Sequence, residues 1–413
     1  MKIAIFSRMR LTLLSAAVLL FGTHYFVYRS VVSAFEVTRL RVRLALILAF
    51  TVLATSIPLA MILHRFHGNV ITRGLHTFSS LWLGLALHLG FFLMLSWAVR
   101  GISRLAGKPL AMGAAVSVAA VLALSASLYG LWSANHPIVT SLEVEIGDLP
   151  EAWEGSTVVQ LSDVHLGSVH GEGFLRHVVE TVNGLDPEAV FLTGDLFNGS
   201  CSDFHRFKDE LDGLRSRRGV FFVTGNHEGY AGLAAPLEFL KGTKIRVLDD
   251  ECIEMDGLQI VGVSFPWFSR KGASVNPFDR GGCYRREKPS ILLYHTPTDV
   301  HESYGDRETQ QVRSYFSPNT SFSFAAEAGV DLQLSGHTHR GQMFPFGILT
   351  RVLWNGFDRG VHRIEDLTLY ISSGTGTWGP AVRTGSPSEV VAVKLKKRGT
   401  PQSSESRDGK REP

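Results

Sequence analysis

The chain has 413 residues, which leaves room for more than one domain, and a formal net charge of +3. That charge is unevenly divided, since residues 1–137 hold 12 Lys or Arg against one acid, whereas the remainder holds 29 against 37. Because the basic part is also the apolar part, its charge indicates membrane flanks and argues against a nucleic-acid-binding surface.

Residues 1–137 contain four long apolar stretches, near Leu11–Tyr28, Leu44–Leu63, Leu81–Val99 and Leu110–Trp132. Each approaches the ~20 residues that a helix needs to cross a bilayer. Aromatic side chains near their ends resemble the anchors found at membrane interfaces. The sequence therefore predicts a transmembrane domain of four helices over residues 1–137, and a multi-pass protein of the cell membrane.

The loops between these stretches predict an orientation. Basic residues concentrate after the first and third stretches, at Arg29, Arg39, Arg41, Arg43, Arg100, Arg104 and Lys108. Only Arg65 and Arg73 lie between the second and third, and the residues after the fourth are acidic. The positive-inside rule then places the rest of the chain outside the cytoplasm, although the basic residues near the N-terminus favour the opposite orientation.

The second part of the chain, residues 138–397, alternates strand-like runs with helix-like stretches such as Phe174–Asn183. The segment Ser141–Ile146 alternates apolar and polar residues, which predicts an edge strand. This alternation is typical of a layered α/β domain. Residues 398–413 have almost no apolar residues and are predicted to be a disordered tail.

Three cysteines, Cys201, Cys252 and Cys283, show no spacing typical of a metal site. An odd number cannot form a complete set of internal disulfides. Free thiols are the simplest interpretation, and one bridge stays open if the domain faces an oxidising compartment.

Five of the strand-like runs are followed directly by residue types that bind metals. They are Val158–Leu161 before Asp163 and His165, Ala189–Leu192 before Asp195, Val220–Val223 before Asn226, Ile291–Leu293 before His295, and the run from Val330 before His337 and His339. Residues two apart in an extended segment point the same way, and nearby glycines allow sharp turns. The pattern predicts a cluster of ligands at one rim of a sheet.

These motifs, which are Asp-x-His, Gly-Asp, Gly-Asn-His-Glu, a lone His and Gly-His-x-His in that order, resemble the motif set of the calcineurin-like metallophosphoesterases. The resemblance covers roughly residues 138–397. The plan of several spans followed by this domain is similar to that of transmembrane proteins with a metallophosphoesterase domain. It implies a four-layer αββα sandwich preceded by a bundle of four transmembrane helices.

The resemblance also implies a phosphoesterase with two divalent metal ions. Asp195 would bridge them, Asp163, His165 and His339 would complete the first site, and Asn226, His295 and His337 the second. This mix of oxygen and imidazole donors fits Mn, Fe or Zn better than Ca or Mg alone. Two such ions lower the pKa of a water between them and clamp the phosphoryl oxygens.

Four further residues are assigned roles by the resemblance or by their chemistry. His227 resembles the histidine that contacts the phosphate and protonates the leaving oxygen, and Glu228 is expected to orient it. Arg340 stands where the family commonly has a small residue, and its guanidinium can either bind phosphate or point to solvent. Arg383 is a second candidate for phosphate contact.

Attachment to the bilayer favours a phosphate ester of a lipid, or one linked to the membrane, as substrate. Two other functions stay open, namely a nucleotide phosphodiesterase or nuclease with the same metal chemistry, and a non-catalytic membrane receptor or scaffold that keeps the fold. The acidic balance of residues 138–413 disfavours extended nucleic acid. The complete ligand set disfavours the scaffold.

Overall fold

A computed structural model gives the structure of residues 2–108, 110–265, 278, 282–300 and 318–399, with side chains in the first helix from residue 14 onward. Most of the predicted tail, residues 400–413, lies outside this range. The described chain forms four long N-terminal helices followed by two six-stranded sheets and shorter helices.

The N-terminal helices are α1 Lys2–Ala34, α2 Leu40–Phe66, α3 Val70–Leu105 and α4 Met112–Asn135. They contain the four predicted apolar stretches almost entirely. Within the described residues, α2, α3 and α4 are long and apolar enough to cross a membrane. The α3 helix begins sharply because the Asn69 side chain accepts the backbone N–H groups of Ile71 and Thr72.

The remainder of the chain packs at the end of the bundle where α2 ends and α3 begins. Thr77 in α3 donates a hydrogen bond to the Ser168 carbonyl at 2.8 Å. Ser202 donates to the carbonyl of His64, near the end of α2, at 3.3 Å. The α1–α2 and α3–α4 loops therefore lie at the opposite end, and these loops with their flanking helix ends hold Arg29, Arg39, Arg41, Arg43, Arg100, Arg104 and Lys108.

The first sheet has the strand order β1-β12-β2-β3-β4-β5. Neighbouring strands run parallel except for the antiparallel pair of β12 and β2. The strand β1 lies at an edge of the sheet, as predicted. The strands are β1 Ile138–Ile146, β2 Thr157–Leu161, β3 Ala189–Thr193, β4 Val220–Val223, β5 Ile245–Val247 and β12 Glu389–Lys397.

The second sheet has the order β10-β11-β9-β8-β7-β6, with parallel central strands and an antiparallel pair at each end. Its strands are β6 Glu251–Met255, β7 Leu258–Val263, β8 Ser290–Tyr294, β9 Leu332–Ser335, β10 Gly360–Ile364 and β11 Leu367–Ile371. The remaining helices are α5 Glu172–Gly184, α6 Lys208–Asp212, α7 Asn226–Tyr230, α8 Ala234–Leu240, α9 Ser323–Ala328 and α10 Phe346–Leu353. The predicted α/β class is thus confirmed.

The central strands are apolar on both faces because both faces are covered. In β3, Phe191 belongs to a core shared with Ile291 of the second sheet. The next residue, Leu192, belongs to a different core that includes Val178 of α5. A third core on the second sheet includes Ala325 of α9. This alternation holds the two sheets together and leaves their strand ends free for the site.

One disulfide is present, between Cys252 in β6 and Cys283, and Cys201 is free and buried. Of the alternatives that the sequence left open, the structure therefore shows a single bridge. Disulfides of this kind persist mainly in oxidising compartments.

Candidate metal centre

The predicted ligands follow the carboxyl ends of five strands. The strands β2, β3 and β4 are parallel neighbours in the first sheet, and β8 and β9 are parallel neighbours in the second. Their carboxyl ends therefore meet at one edge of the sandwiched sheets. Backbone hydrogen bonds join the loops there, from Asp163 N–H to the Gly194 carbonyl at 3.1 Å and from His165 N–H to the Asp195 carbonyl at 3.0 Å.

The first donor set consists of Asp163, His165 and His339, all buried. The Nε2 atoms of His165 and His339 are 2.9 Å apart, and His339 Nε2 lies 3.3 Å from Asp163 Oδ1. Ser162 donates its hydroxyl hydrogen to Asp163 Oδ2 at 2.6 Å, which fixes the carboxylate. Two imidazole nitrogens and a carboxylate oxygen thus converge on one point.

The second donor set consists of Asp195, His295 and His337. His295 Nε2 lies 3.3 Å from Asp195 Oδ2 and 3.1 Å from His337 Nδ1. The side-chain oxygen of Asn226 is 3.2 Å from the same His295 nitrogen. The structure therefore brings the predicted ligands of the second site together as well.

Asp195 lies between the two sets. Its Oδ2 atom is 3.8 Å from His165 Nε2 in the first set and 3.3 Å from His295 Nε2 in the second. A carboxylate in this position has an oxygen within reach of both sets of nitrogens. The donors fit two adjoining divalent ions, because imidazole nitrogens and carboxylate oxygens are the ligands that Mn, Fe and Zn accept in proteins.

The tautomer of His295 is set by a backbone carbonyl. Its Nδ1 atom lies 2.8 Å from the carbonyl oxygen of Thr193, which can only accept. When the ring is neutral its proton therefore resides on Nδ1, and the Nε2 atom can offer its lone pair to a cation in the centre. This arrangement is the one that metal-binding histidines commonly use.

The carboxylates of the centre favour positive charge at His295, whereas burial lowers the pKa of His165 and His337. Burial opposes the ionised form of Asp163, but the imidazoles of His339, His295 and His165 outweigh it and hold the pKa of the carboxyl well below its usual range. Burial likewise lowers the pKa of His295, yet the carboxylates of Asp195 and Asp163 raise it overall to about 9. A place that stabilises an imidazolium in this way suits a cation.

His227 is buried beside both sets, with its ring centroid 4.5 Å from that of His165. Its Nδ1 atom accepts the backbone N–H of Gly199 at 3.0 Å. Because Nδ1 accepts, the proton of the neutral ring lies on Nε2. In this tautomer His227 offers a hydrogen bond from Nε2, and the expected proton transfer from the ring does not fit, because a neutral imidazole that lost this hydrogen would be left as an anion. Burial lowers its pKa despite the opposing charge of Asp195.

Glu228 acts on the backbone and not on the His227 ring. Its carboxylate accepts the N–H groups of Asp195 at 3.0 Å, Phe197 at 3.1 Å and Gly225 at 2.8 Å. Burial, followed by the charge of Asp195, raises the pKa of Glu228 to about 8. The predicted role of orienting His227 is replaced by one in which Glu228 ties two ligand-bearing loops together.

Several ligand-bearing residues adopt the left-handed backbone conformation, in which β-carbons are strained. The φ angles are 54° for Asp163, 51° for His165, 54° for Asp195, 72° for His337 and 48° for His339. The surrounding hydrogen bonds must compensate for this strain. Such strain at the ligands is typical of a functional site rather than of an ordinary loop.

The structure corrects the prediction for Arg383. Its side chain is fully buried, and it donates to the carbonyls of Gly376 at 2.9 Å and Ser373 at 2.7 Å and to the Ser386 hydroxyl at 3.0 Å. Its Nη2 atom lies 3.1 Å from His339 Nδ1, on the side of the ring away from the donor set. Arg383 therefore supports the loop behind His339 and does not face a substrate.

Arg340 is half-buried, with φ of 50°. Its Nη1 atom donates to the Gly385 carbonyl at 3.0 Å. This contact uses one N–H group of five and favours neither of the two alternatives that the sequence left open. A phosphate contact by Arg340 stays a prediction.

Some residues of the site carried no sequence signal. The Gly199 N–H fixes the tautomer of His227, and the exposed ring of Trp378 lies 5.9 Å from the same imidazole. Both belong to loops that meet His227 only in the fold. The serine before Asp163 had a local signal, because a hydroxyl next to a ligand carboxylate is a common orienting partner.

Comparison with known proteins supports this geometry. A profile of the calcineurin-like phosphoesterases matches residues 156–341. A Helicobacter pylori protein named uncharacterized metallophosphoesterase is 35% identical over 241 residues, which are 58% of this chain and 59% of that protein. The chain thus spans less than two thirds of that relative.

Two further relatives extend the comparison. An Aquifex aeolicus protein of the same name is 30% identical over 262 residues, which are 63% of this chain and 92% of that protein. A Danio rerio protein named transmembrane protein with metallophosphoesterase domain is 29% identical over 337 residues, or 76% of this chain and 72% of that protein. The Danio rerio match is longer than the other two.

A glycine beside the first donor set gives a test of its packing. A β-carbon on Gly336 would collide with Ser162 Oγ and Asp163 Oδ2. We expect Gly336→Ala to destabilise the chain by about 1–3 kcal/mol, as overpacking does, and to lower its metal content. Elemental analysis and thermal unfolding of the purified full chain measure both effects.

The matched control is Gly173→Ala in α5, where a β-carbon meets no atom within 4 Å. This variant should keep the metal content of the wild type and have an equal or higher thermal midpoint, because alanine is favoured over glycine in a helix. A Gly336→Ala variant with full metal content would show that Asp163 is not held as described.

Proposed function

Because the chain belongs to the calcineurin-like metallophosphoesterase family, we propose that it hydrolyses phosphate esters with two divalent metal ions. The observation that carries the proposal is the pair of adjoining donor sets with Asp195 between them. The predicted domain, residues 138–397, is the part of the chain to which we assign this activity.

Asp163, His165 and His339 would hold the first ion and Asn226, His295 and His337 the second, with Asp195 shared. Manganese, iron and zinc all suit these donors. When bound, such ions supply a nucleophilic oxygen from water near neutral pH and positive charge against the phosphoryl oxygens. The chain contributes fixed tautomers and orientations, such as the Nδ1–H of His295 on the Thr193 carbonyl.

His227 stabilises the leaving group. In an in-line displacement, a new bond from the water oxygen to phosphorus forms as the bond to the leaving oxygen breaks, and the proton that the water loses passes through solvent to the leaving oxygen. The neutral His227 ring donates a hydrogen bond from Nε2 to that oxygen as its negative charge develops. The Gly199 N–H on Nδ1 keeps the ring in the tautomer that carries the Nε2 hydrogen. Arg340 is the residue that we assign to phosphate contact, since its guanidinium is only partly used by Gly385.

The four N-terminal helices are the part of the chain that we assign to the membrane. We assign all four N-terminal helices to a multi-pass bundle, and the three cores described above support a four-layer αββα domain attached to it. Attachment of the centre to a bilayer favours a lipid phosphate or a membrane-linked phosphate ester as substrate. The acidic balance after residue 137 disfavours extended nucleic acid.

Three observations support a catalytic domain outside the cytoplasm. The end of the bundle away from the catalytic domain, made of two loops and the helix ends beside them, holds most arginines of residues 1–137 and also Lys108. Arg65 lies at the end of the bundle that faces the catalytic domain, and it is close to Gly232 of that domain. This contact accounts for a basic residue on that side. The Cys252–Cys283 disulfide suits an oxidising compartment.

The bridging carboxylate gives the first test of function. The full chain in detergent should bind about two metal ions and hydrolyse either p-nitrophenyl phosphate or bis-p-nitrophenyl phosphate. Asp195→Asn should lose metal and activity together, because an amide cannot bridge two cations as a carboxylate does. Asp186→Asn, at an exposed position, should change neither.

Two other results would contradict the proposal in different ways. Metal that binds without turnover of either ester would contradict an unrestricted phosphoesterase and favour a scaffold. Hydrolysis confined to nucleotide diesters would favour the phosphodiesterase alternative.

His227→Asn gives a second test, because the asparagine oxygen can still accept the Gly199 N–H while the Nε2 proton is lost. We expect a loss of about 10²–10³-fold in kcat for alkyl phosphates, whose leaving oxygen carries the most localised negative charge. The loss should be smaller for p-nitrophenyl esters, whose leaving group departs as a stabilised anion. Metal content should stay at the wild-type value. Equal losses for both ester types would contradict the role of His227 as hydrogen-bond donor to the leaving oxygen.

Reporter fusions test the orientation. Alkaline phosphatase, which folds only in an oxidising compartment, should be active when fused after Lys397 and inactive when fused after Lys108. A fluorescent protein that matures only in the cytoplasm should give the inverse result. The opposite pattern would place the catalytic domain in the cytoplasm.

A further inference from the structure

An apolar surface lies beside the centre, on α10. Ile348 is 64% exposed and Val352 is 69% exposed, and Leu349 next to Ile348 is exposed as well. Phe344, shortly before the helix, is also exposed, whereas Thr350 on the other side of α10 is buried. Phe344, Ile348, Leu349 and Val352 are called the apolar ledge below. Contiguous exposed apolar side chains of this kind mark an interaction site.

The ledge is fixed in position relative to the ligand His339. The turn after His339 passes so close to the start of α10 that a β-carbon on Gly341 would lie 2.6 Å from the backbone of Phe346 and Gly347. The loop that follows His339 therefore leads directly into the ledge. A shift of the loop after His339 would therefore shift the apolar ledge as well.

The ledge adjoins the third N-terminal helix. The rings of Phe344 and Phe91 meet edge to face, with centroids 5.5 Å apart and planes at 89°. The hydroxyl of Thr384 lies 3.1 Å from His88 Nε2, and it accepts the backbone N–H of Phe344 at 3.2 Å. Two segments of the catalytic domain thus pack along α3 well beyond its first turns.

The position of Phe91 along α3 indicates how deep its contact with Phe344 would lie in a bilayer. The helix has 36 residues, or about 54 Å, whereas the hydrocarbon core of a bilayer is about 30 Å thick. Arg100 lies over the ring of Trp97 at 6.0 Å, a pair typical of a membrane interface. Phe91 is about 13 Å from Arg100 along the helix, which places Phe344 near the middle of the hydrocarbon core.

The start of the ledge is tied to a loop beside the centre. Gln342 accepts the N–H of Trp378 at 2.9 Å and donates to the Pro380 carbonyl at 2.7 Å, and so it ties the Trp378 loop to the start of the ledge. The exposed Trp378 ring borders His227. The ledge and the residues beside His227 are therefore fixed relative to each other.

We infer that the apolar ledge lies within the hydrocarbon core of the bilayer, in contact with acyl chains, and that the centre takes phosphate esters of lipids that stay in the bilayer. The choice of substrate rests on the proposed function, while the position of the ledge does not. Continuity of the ledge with α3 favours lipid over a protein partner as its occupant.

Cysteine labelling tests the position of the ledge. Val352→Cys is compared with Val361→Cys, a valine that is 51% exposed in β10. In nanodiscs of phosphatidylcholine, a charged maleimide should label Val361→Cys at least about tenfold faster than Val352→Cys, since thiols among acyl chains are shielded. Background is low because Cys201 is buried and the other two cysteines are paired. Equal labelling rates would overturn the inference.

Turnover tests the choice of substrate. For the full chain in nanodiscs, the ratio of hydrolysis of phosphatidic acid or phosphatidylglycerol to that of a soluble p-nitrophenyl ester should fall about tenfold in Val352→Gln. The ratio should stay at the wild-type value in Val361→Gln. An unchanged ratio in Val352→Gln would overturn the lipid substrate.

Failure of the proposed function gives a different result. A wild-type chain that turns over no ester, lipid or soluble, contradicts both the proposed function and the lipid substrate. The labelling rates then still decide whether the ledge lies in the bilayer.

Discussion

The buried carboxylate of Asp195 is the group on which the rest of the centre depends. A charge removed from water must be compensated by hydrogen bonds and opposite charge. Asp195 Oδ1 accepts the backbone N–H of His227 at 2.8 Å, and the backbone N–H of Asp195 donates to the Glu228 carboxylate. The second carboxylate oxygen, Oδ2, faces His165 and His295. The loops that follow three strands of the first sheet and one of the second are therefore arranged around one negative charge.

The ligand positions could be predicted from the sequence because their signal is local. An apolar run that ends in Asp163 or His295 identifies both a strand and its carboxyl end, and parallel neighbours bring such ends together. The role of Arg383 could not be predicted, since nothing near it indicates that its loop folds behind His339. The burial of its guanidinium depends on contacts that exist only in the assembled fold.

The bundle and the centre are joined by continuous contacts. His88 in α3 lies within hydrogen-bond distance of Thr384. The preceding residue, Arg383, donates its backbone N–H to the Gly130 carbonyl of α4 at 2.9 Å. The Arg383 side chain lies against His339. The sequence suggested two parts with an anchoring role for the first. The structure instead places residues from the N-terminal helices one or two side chains away from His339, a candidate ligand.

Anomalous diffraction from crystals of the full chain, grown with manganese or zinc, would locate the metal ions. Two peaks about 3.5–4 Å apart are expected, with Asp195 between them. One peak should lie beside Asp163, His165 and His339, and the other beside Asn226, His295 and His337. A single peak, or a peak bound through the Nε2 atom of His227, would contradict two ions that share Asp195.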